Sequence, residues 1–511
     1  MATWDLKFAV PVQKLARTRE DASGSPDPVL ERAFATSMSR ELASTYGQES
    51  RPFFVDMTGR VHMELNSFFR SARMRSRSVG TNRKYAYSLK TWLNFITLRG
   101  QLWDDVTEDD VLDFKFWRRT DVRNPGRIGG SAWSSDLAAL TVFYEWASRH
   151  LQGPDLSFEI RAGFSATGPK GRMQPGPSYR ASSVRTSDVK WLSPAAFQLW
   201  RDVGVHGLSR QGQERTRWRP RSQSRDAAFV DGLYSTGLRI QEWSSVLLQE
   251  LQEPSRGHRY LTLRLAAACA KTNQSRPYWI ETKALNAVTL YRETERAHAV
   301  RIAQSAGRYE KAPEKLIIDS VDKRGIFAIL HEDSGIINNI NMGNLSPSDR
   351  LRLYVRGADG LSPAALWLNE DGMPRSKTTW YKSFNRANAR VRKAGIENLS
   401  CNPHMLRHSF ALRWYSVARL VWERKWAPEP ASRAKDFREQ FGDAWSFVQT
   451  MLGHSNVETT KQIYLQPFNA LNVRLLLDYG RLSLDPDVLL EILDHDPRVR
   501  LLSHAERGYE L

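Results

Sequence analysis

A mainly α-helical chain with a small antiparallel sheet in its second half is the fold class this sequence predicts, and three observations carry the prediction. Apolar residues recur at helical spacing from about residue 81 to 149, with no strand-like alternation between them. Residues 260–268 and 277–280 read instead as two strands around a polar turn. Between these regions, residues 151–188 are rich in Gly, Pro, Ser and Arg and hold no sustained periodicity, as an interdomain linker would. The 511 residues suffice for two or three domains at roughly 100–200 residues each.

In chain order, residues 1–60 are mixed and weakly patterned, with one helix expected over 30–46, and read as an extension of unknown role. Residues 61–150 form a small helical domain. Thr81 is the expected N-cap of its first long helix, because Tyr85, Leu89, Trp92 and Ile96 then fall on one face. Thr107 and Asp110 imitate a capping box for the next helix. A third helix, 131–149, carries Leu137, Leu140, Phe143 and Trp146 as its apolar stripe. After the linker, a second domain spans 189–480 and opens with Ser193 as N-cap and Pro194 at the first helical position. A helical tail, 481–511, follows, with Asp485 and Pro486 as its start signal.

Composition narrows the function classes. Hydrophobic residues make up 41% and charged residues 25% of the chain, which excludes wholesale disorder and a collagen-like repeat. No apolar run approaches the roughly 18 residues of a membrane span, and the first twelve residues lack the pattern of a secretory signal. Two cysteines, Cys269 and Cys401, make a disulfide framework implausible, so a reducing cytoplasm is expected. Against 56 acidic residues stand 74 basic ones, a net charge of +18, and that excess points to a polyanion, with nucleic acid the first candidate. The charge is concentrated at 70–84, with six basic residues and no acidic one, and at 209–225, with six arginines and one glutamate.

Three segments of the second domain carry chemistry. In Tyr234-Ser-Thr-Gly-Leu-Arg-Ile-Gln-Glu-Trp243, Gly237 punctuates a helix, and Arg239 and Glu242 sit three apart on the next one, so the carboxylate can orient the guanidinium. In Asn402-Pro-His-Met-Leu-Arg-His-Ser-Phe-Ala411, Asn402 caps and Pro403 opens a helix, placing His404 in the first turn and Arg407 one turn later. A helix N-terminus, an imidazole and an arginine at one point suit a phosphate. In the third, residues 451–464, Gly453 ends a helix, Ser455 and Glu458 cap the next, His454 lies in the turn and Tyr464 at the far end. His404 and His408, with Cys401 nearby, also read as a partial zinc site, but no fourth ligand is placed.

Taken together, G-L-R-x-x-E at 237–242, H-x-L-R-H at 404–408, and L-G-H followed by T-T-x-x-x-Y at 452–464 resemble the tyrosine recombinases, or phage-type integrases. The resemblance covers about residues 70–467, since the 81–98 helix and the stretch 143–147 are similar to that family's core-binding domain. It implies a helical core-binding domain and a catalytic domain forming a C-shaped clamp on duplex DNA. It further implies site-specific cutting and rejoining through a 3′-phosphotyrosyl intermediate, with no metal or nucleotide cofactor.

The site residues it implies are Arg239, Lys271, His404, Arg407, His454 and Tyr464. Lys271 is chosen because the family carries a lysine in a β-hairpin, and Lys283 is the second choice. The expected biology is integration or excision of a mobile element by a tetramer on DNA, with accessory DNA-bending or directionality proteins as further partners. A transposase or dimer resolvase with the same chemistry is the alternative, as is a non-catalytic DNA-binding protein on the same fold. Two departures stand out. The spacing from His454 to Tyr464 is one residue longer than the family's commonest, and residues 422–443 read as an inserted loop and helix.

Overall fold

The protein is described by a computed structural model at residues 4–8, 52–56, 61–156, 179, 191–214, 222–253, 258–322, 325–331, 335–426, 444–453 and 499–500. The chain divides into two units, Met1–Thr186 and Ser187–Leu511.

In the first unit, β1 (Trp4–Phe8) pairs antiparallel with β2 (Pro52–Asp56), and five helices follow: α1 (Met63–Arg70), α2 (Ala72–Arg75), α3 (Val79–Leu98), α4 (Glu108–Arg119) and α5 (Gly130–His150). The helix α3 starts before Thr81. Ser78 Oγ accepts from Thr81 N at 3.2 Å, so the earlier hydroxyl is the cap. At α4 the capping pair forms as spaced, with Thr107 N donating to Asp110 Oδ2 at 2.8 Å.

Tyr85, Leu89, Trp92 and Ile96 face Leu137, Leu140, Phe143 and Trp146 in one core. Each fully buried large apolar side chain contributes about 1.5–3 kcal/mol. The polar atoms inside are satisfied: Trp92 Nε1 donates to Tyr144 Oη at 2.8 Å, which donates to the Trp103 carbonyl at 3.0 Å.

Two segments expected to stand apart belong to this core. Trp4 N donates to Asn94 Oδ1 at 2.8 Å, and Leu6 and Phe54 pack among the helices. Tyr179, in the stretch expected to be linker, is buried; its carbonyl accepts from Trp133 Nε1 at 2.7 Å and its hydroxyl donates to Glu108 Oε2 at 2.6 Å. The helix expected over 30–46 lies outside the described residues.

The second unit begins with β3 (Trp191–Leu192), α6 (Pro194–Gly204), α7 (Gln223–Thr236) and the short α8 (Ile240–Ser244). The hairpin β4 (Tyr260–Leu265) and β5 (Arg276–Glu281) leads into α9 (Thr282–Tyr291), a π-helical turn and α10 (Ala297–Ser305). Next come β6 (Leu316–Val321), β7 (Ile326–His331), β8 (Ile336–Asn341), α11 (Pro347–Arg350), β9 (Leu353–Gly357) and β10 (Gly360–Pro363). The unit continues with α12 (Lys377–Lys393), α13 (Pro403–Trp426), α14 (Ala444–Leu452) and β11 (Val499–Arg500), which pairs in parallel with β3.

Strands β6–β10 form a five-stranded sheet in the order β10-β9-β6-β7-β8, with β6 and β9 parallel. Nothing in the sequence pattern announced it, because the inner strands are apolar on both faces. Leu316 and Ile318 pack with Leu247 and Leu345, while Ile317 and Tyr354 pack with Val300 and Tyr309. Residues 422–426, expected in an insertion, continue α13, and 427–443 lie outside the described residues. Of the arginines expected on the 209–225 loop, Arg225 is instead buried in the first turn of α7 and donates to the Leu368 carbonyl at 3.1 Å. No helix among the described residues is long and apolar enough to cross a membrane.

Candidate active site

The site is assembled from three chain turns. The first ends α7. Gly237 takes φ +63°, where an L side chain is strained, and any Cβ there would collide with the Phe410 ring. The turn delivers Arg239 as the residue that opens α8. Glu242 Oε2 accepts from Arg239 N at 2.9 Å and Oε1 from Arg239 Nη1 at 2.8 Å, so one carboxylate fixes both backbone and guanidinium. The Glu242 side chain is 1% exposed and that of Arg239 is 26% exposed, which leaves the arginine a route to a ligand.

The second turn joins β4 to β5. Lys271 is exposed there, after a 3₁₀ turn at Ala267–Cys269, and Asn273 closes it in the left-handed region with φ 53°. On the returning strand, Arg276 Nη2 donates to Glu242 Oε2 at 3.0 Å.

The third is the start of α13. Asn402 Oδ1 accepts from His404 N at 2.9 Å and Met405 N at 3.0 Å, and Pro403 occupies the first helical position. His404 is exposed in that first turn, whereas Arg407 is 2% exposed. Arg407 Nη1 donates to the Gly237 carbonyl at 2.5 Å and Nη2 to the Leu452 carbonyl at 2.9 Å, linking the end of α7 to the end of α14. Beyond Leu452, Gly453 turns the chain at φ +63°, and a Cβ on it would collide with the Arg276 side chain.

The charges act on one another. Burial pushes the Glu242 carboxyl up, but Arg276, Arg407 and Arg239 outweigh it and hold the group below its ordinary range. The His404 imidazole, though its residue is exposed, is pushed down first by the protein that partly shields the ring from water, then by Arg407, Arg239 and Lys271, so it is neutral at neutral pH. His408, whose ring centroid is 5.0 Å from that of His404, is pushed down to about 3 by burial, His404 and Arg407. Three guanidinium groups, those of Arg276, Arg407 and Arg239, thus surround one carboxylate, and Lys271 adds a fourth cation within electrostatic reach of His404, an excess of positive charge that suits an anion.

Four of the six residues expected from the sequence therefore come together around one of their number, with Arg239, Lys271 and Arg407 each within electrostatic reach of His404. His454 and Tyr464 lie outside the described residues. Lys283 lines a different recess, of about 210 Å³, with Asp231, Glu281 and Arg413. Arg276 entered the sequence reading only as the arginine that ends the polar turn after Lys271, with no role of its own. Its one signal was its place five residues after Lys271. Among the described residues no group of three or more His, Cys, Asp or Glu side chains could hold a metal ion. Cys401 is buried, and burial raises its thiol well above its ordinary value.

Comparison with known proteins gives the following. The sequence model of the phage integrase family matches residues 218–417, and that of the phage integrase N-terminal SAM-like domain matches residues 65–150. Among curated proteins none matches. Among solved structures, the chain is similar to the XerH site-specific recombinase bound to palindromic difH substrate in a post-cleavage complex. Identity is 11% over 91% of this chain and 94% of that one, with a TM-score of 0.45. It is also similar to the Tn1549 transposon integrase in complex with circular intermediate DNA, at 14% identity over 78% of this chain and 94% of that one, with a TM-score of 0.42.

Proposed function

The chain belongs to the phage integrase family and is a tyrosine recombinase that cuts and rejoins DNA; from that premise we propose how its own residues divide the work. Tyr464 attacks the scissile phosphorus, and the bond to the 5′ oxygen breaks, leaving a 3′-phosphotyrosyl ester and a free 5′ hydroxyl. The ester stores the phosphodiester energy, so attack by the 5′ hydroxyl of a partner strand rejoins DNA without a nucleotide cofactor.

Arg239 and Arg407 bind the non-bridging oxygens and stabilise the charge that builds there in the transition state. A phenol with a pKa near ~10 needs a proton acceptor, and His404, neutral at neutral pH, is assigned that role. Lys271 Nζ gives its proton to the departing 5′ oxygen, and His454 adds a hydrogen bond to the phosphate. The observation that carries this reading is the shared electrostatic neighbourhood of Arg239, Arg407, His404 and Lys271.

The biological setting proposed is integration or excision of a mobile element in the cytoplasm, by a tetramer assembled on duplex DNA and assisted by accessory DNA-bending or directionality proteins. Covalent capture tests the chemistry. Wild type incubated with nicked suicide substrates, without divalent metal, should give an SDS-resistant protein–DNA adduct, and Tyr464→Phe should give none. An adduct from the phenylalanine variant would show another nucleophile. Lys271→Ala should be rescued by a 5′-bridging thiolate leaving group, and a failure of rescue would move the general-acid role elsewhere.

A further inference from the structure

We propose that Arg276 is a positioning residue for strand cleavage, joining the hairpin that carries Lys271 to the carboxylate that holds Arg239 and to the turn at Gly453. The inference rests on the recombinase reading and deepens it.

Three observations converge. Glu242 is buried, and its Oε2 accepts from Arg276 Nη2 as well as from Arg239 N, so Arg276 and Arg239 share one carboxylate. The Arg276 stem lies against Gly453, where a Cβ would meet its Cδ and Nε, so the arginine sets how closely the end of α14 approaches β5. The other amino group, Nη1, is buried with no hydrogen-bond partner among the described residues, while the side chain is only 12% exposed. Other arginines of this unit, Arg352 and Arg375 among them, also keep an unsatisfied donor, so what singles Arg276 out is the shared carboxylate and the contact with Gly453.

Removing Arg276 has a defined consequence. The groups facing Glu242 are Arg239 from its own helix, Arg276 from β5 and Arg407 from α13. The Cys269 thiol, pushed up to about 11 chiefly by burial, stays neutral. Arg276 is the largest of the charges holding the carboxyl down. Without it, burial raises Glu242, and a protonated carboxyl has lost the charge that holds the Arg239 guanidinium. Lys271 loses the anchor at the far end of its turn at the same time.

The test is single-turnover adduct formation on a nicked suicide substrate as a function of pH, with DNA affinity measured in parallel, for wild type, R276A, R276K, E242Q and R276A/E242Q. R276A should bind DNA as wild type does, cleave about 10–100-fold more slowly, and lose activity on the acid side at a higher pH than wild type. R276K should restore the acid limb, since a cation again faces Glu242. The double variant should be no slower than the slower single one.

Melting against pH gives an activity-free reading. The advantage of wild type over R276A should be largest near neutral pH, shrink toward acid as Glu242 protonates in both, and vanish in the E242Q background. If R276A is too unstable to assay, R276K and the nearly isosteric E242Q carry the same comparison. Wild-type rate and pH profile in R276A, or additive losses in the double variant, overturn the inference alone. A wild type that forms no adduct on any DNA, while the melting pattern holds, overturns the recombinase reading and this inference with it.

Discussion

Two glutamates of the second unit with little-exposed side chains, Glu242 at 1% and Glu250 at 8%, are each tied to arginine, and they behave differently. Glu250 receives both amino groups of Arg350, at 2.7 and 2.9 Å. The remaining Arg350 donors go to the Leu345, Ser245 and Met342 carbonyls, and the arginine side chain is 2% exposed. That network is closed, with nothing left to offer a ligand. Glu242 is shared between two arginines, one of them a quarter exposed and the other holding an unsatisfied donor. Ion pairing is common to both; the Glu242 network differs in keeping one partly exposed guanidinium beside it and one donor that the described residues do not satisfy.

The sharpest way to break the comparison is to cut each network in turn. Arg350→Met removes the partner of Glu250 and the donor to three backbone carbonyls, and should cost about 3–5 kcal/mol of stability in denaturant unfolding. Cleavage per folded molecule should not change. Arg239→Ala should do the reverse: adduct formation falls by about 10²–10³-fold, while DNA affinity and melting stay near wild type. A parallel collapse of DNA binding would count against its place at the scissile phosphate.

Gly453→Ala should cost about 1–2 kcal/mol from backbone conformation and also slow cleavage, because the new methyl displaces Arg276. Gly395→Ala, at φ +80° with nothing within 4 Å, should show the backbone cost alone.

The smallest effect concerns His408. Its folded pKa of about 3 lies below the unfolded value of about 6.5, so the unfolded chain binds the extra proton first as pH falls. The penalty begins near the unfolded value and is complete below the folded one. Stability of the second unit should therefore decline on acidification, by on the order of 1 kcal/mol at about pH 5.5. His408→Gln should flatten that slope in melts recorded against pH.

Much of this was legible in the sequence wherever the physics is local. Ser193 with Pro194, Asn402 with Pro403, and Gly237 before Arg239 are short-range signals, and a cap or a left-handed turn is decided within a few residues. The spacing of Arg239 and Glu242 displayed their pairing for the same reason.

Where partners are distant the pattern was silent. The strand Trp4–Phe8 is held by Asn94 and Thr97, and Tyr179 by Trp133 and Glu108, contacts that no local window contains. The five-stranded sheet hid because apolar strands covered on both faces show no alternation. Arg276 hid because its meaning lies in Glu242 and Gly453, which come from other turns. Ser78 displaced Thr81 as a cap because either hydroxyl could serve, and the helix began at the earlier one.

Arg407 would serve catalysis and folding at once. In the proposed mechanism it binds the same phosphate as Arg239, while its amino groups satisfy the Gly237 and Leu452 carbonyls in the interior. In a lineage that gave up strand cleavage and kept only its grip on DNA, Arg239 could drift to almost any polar residue. Arg407 could not, since its loss would orphan two backbone acceptors. Decayed descendants of this enzyme should therefore be recognisable by an arginine that outlives its reaction.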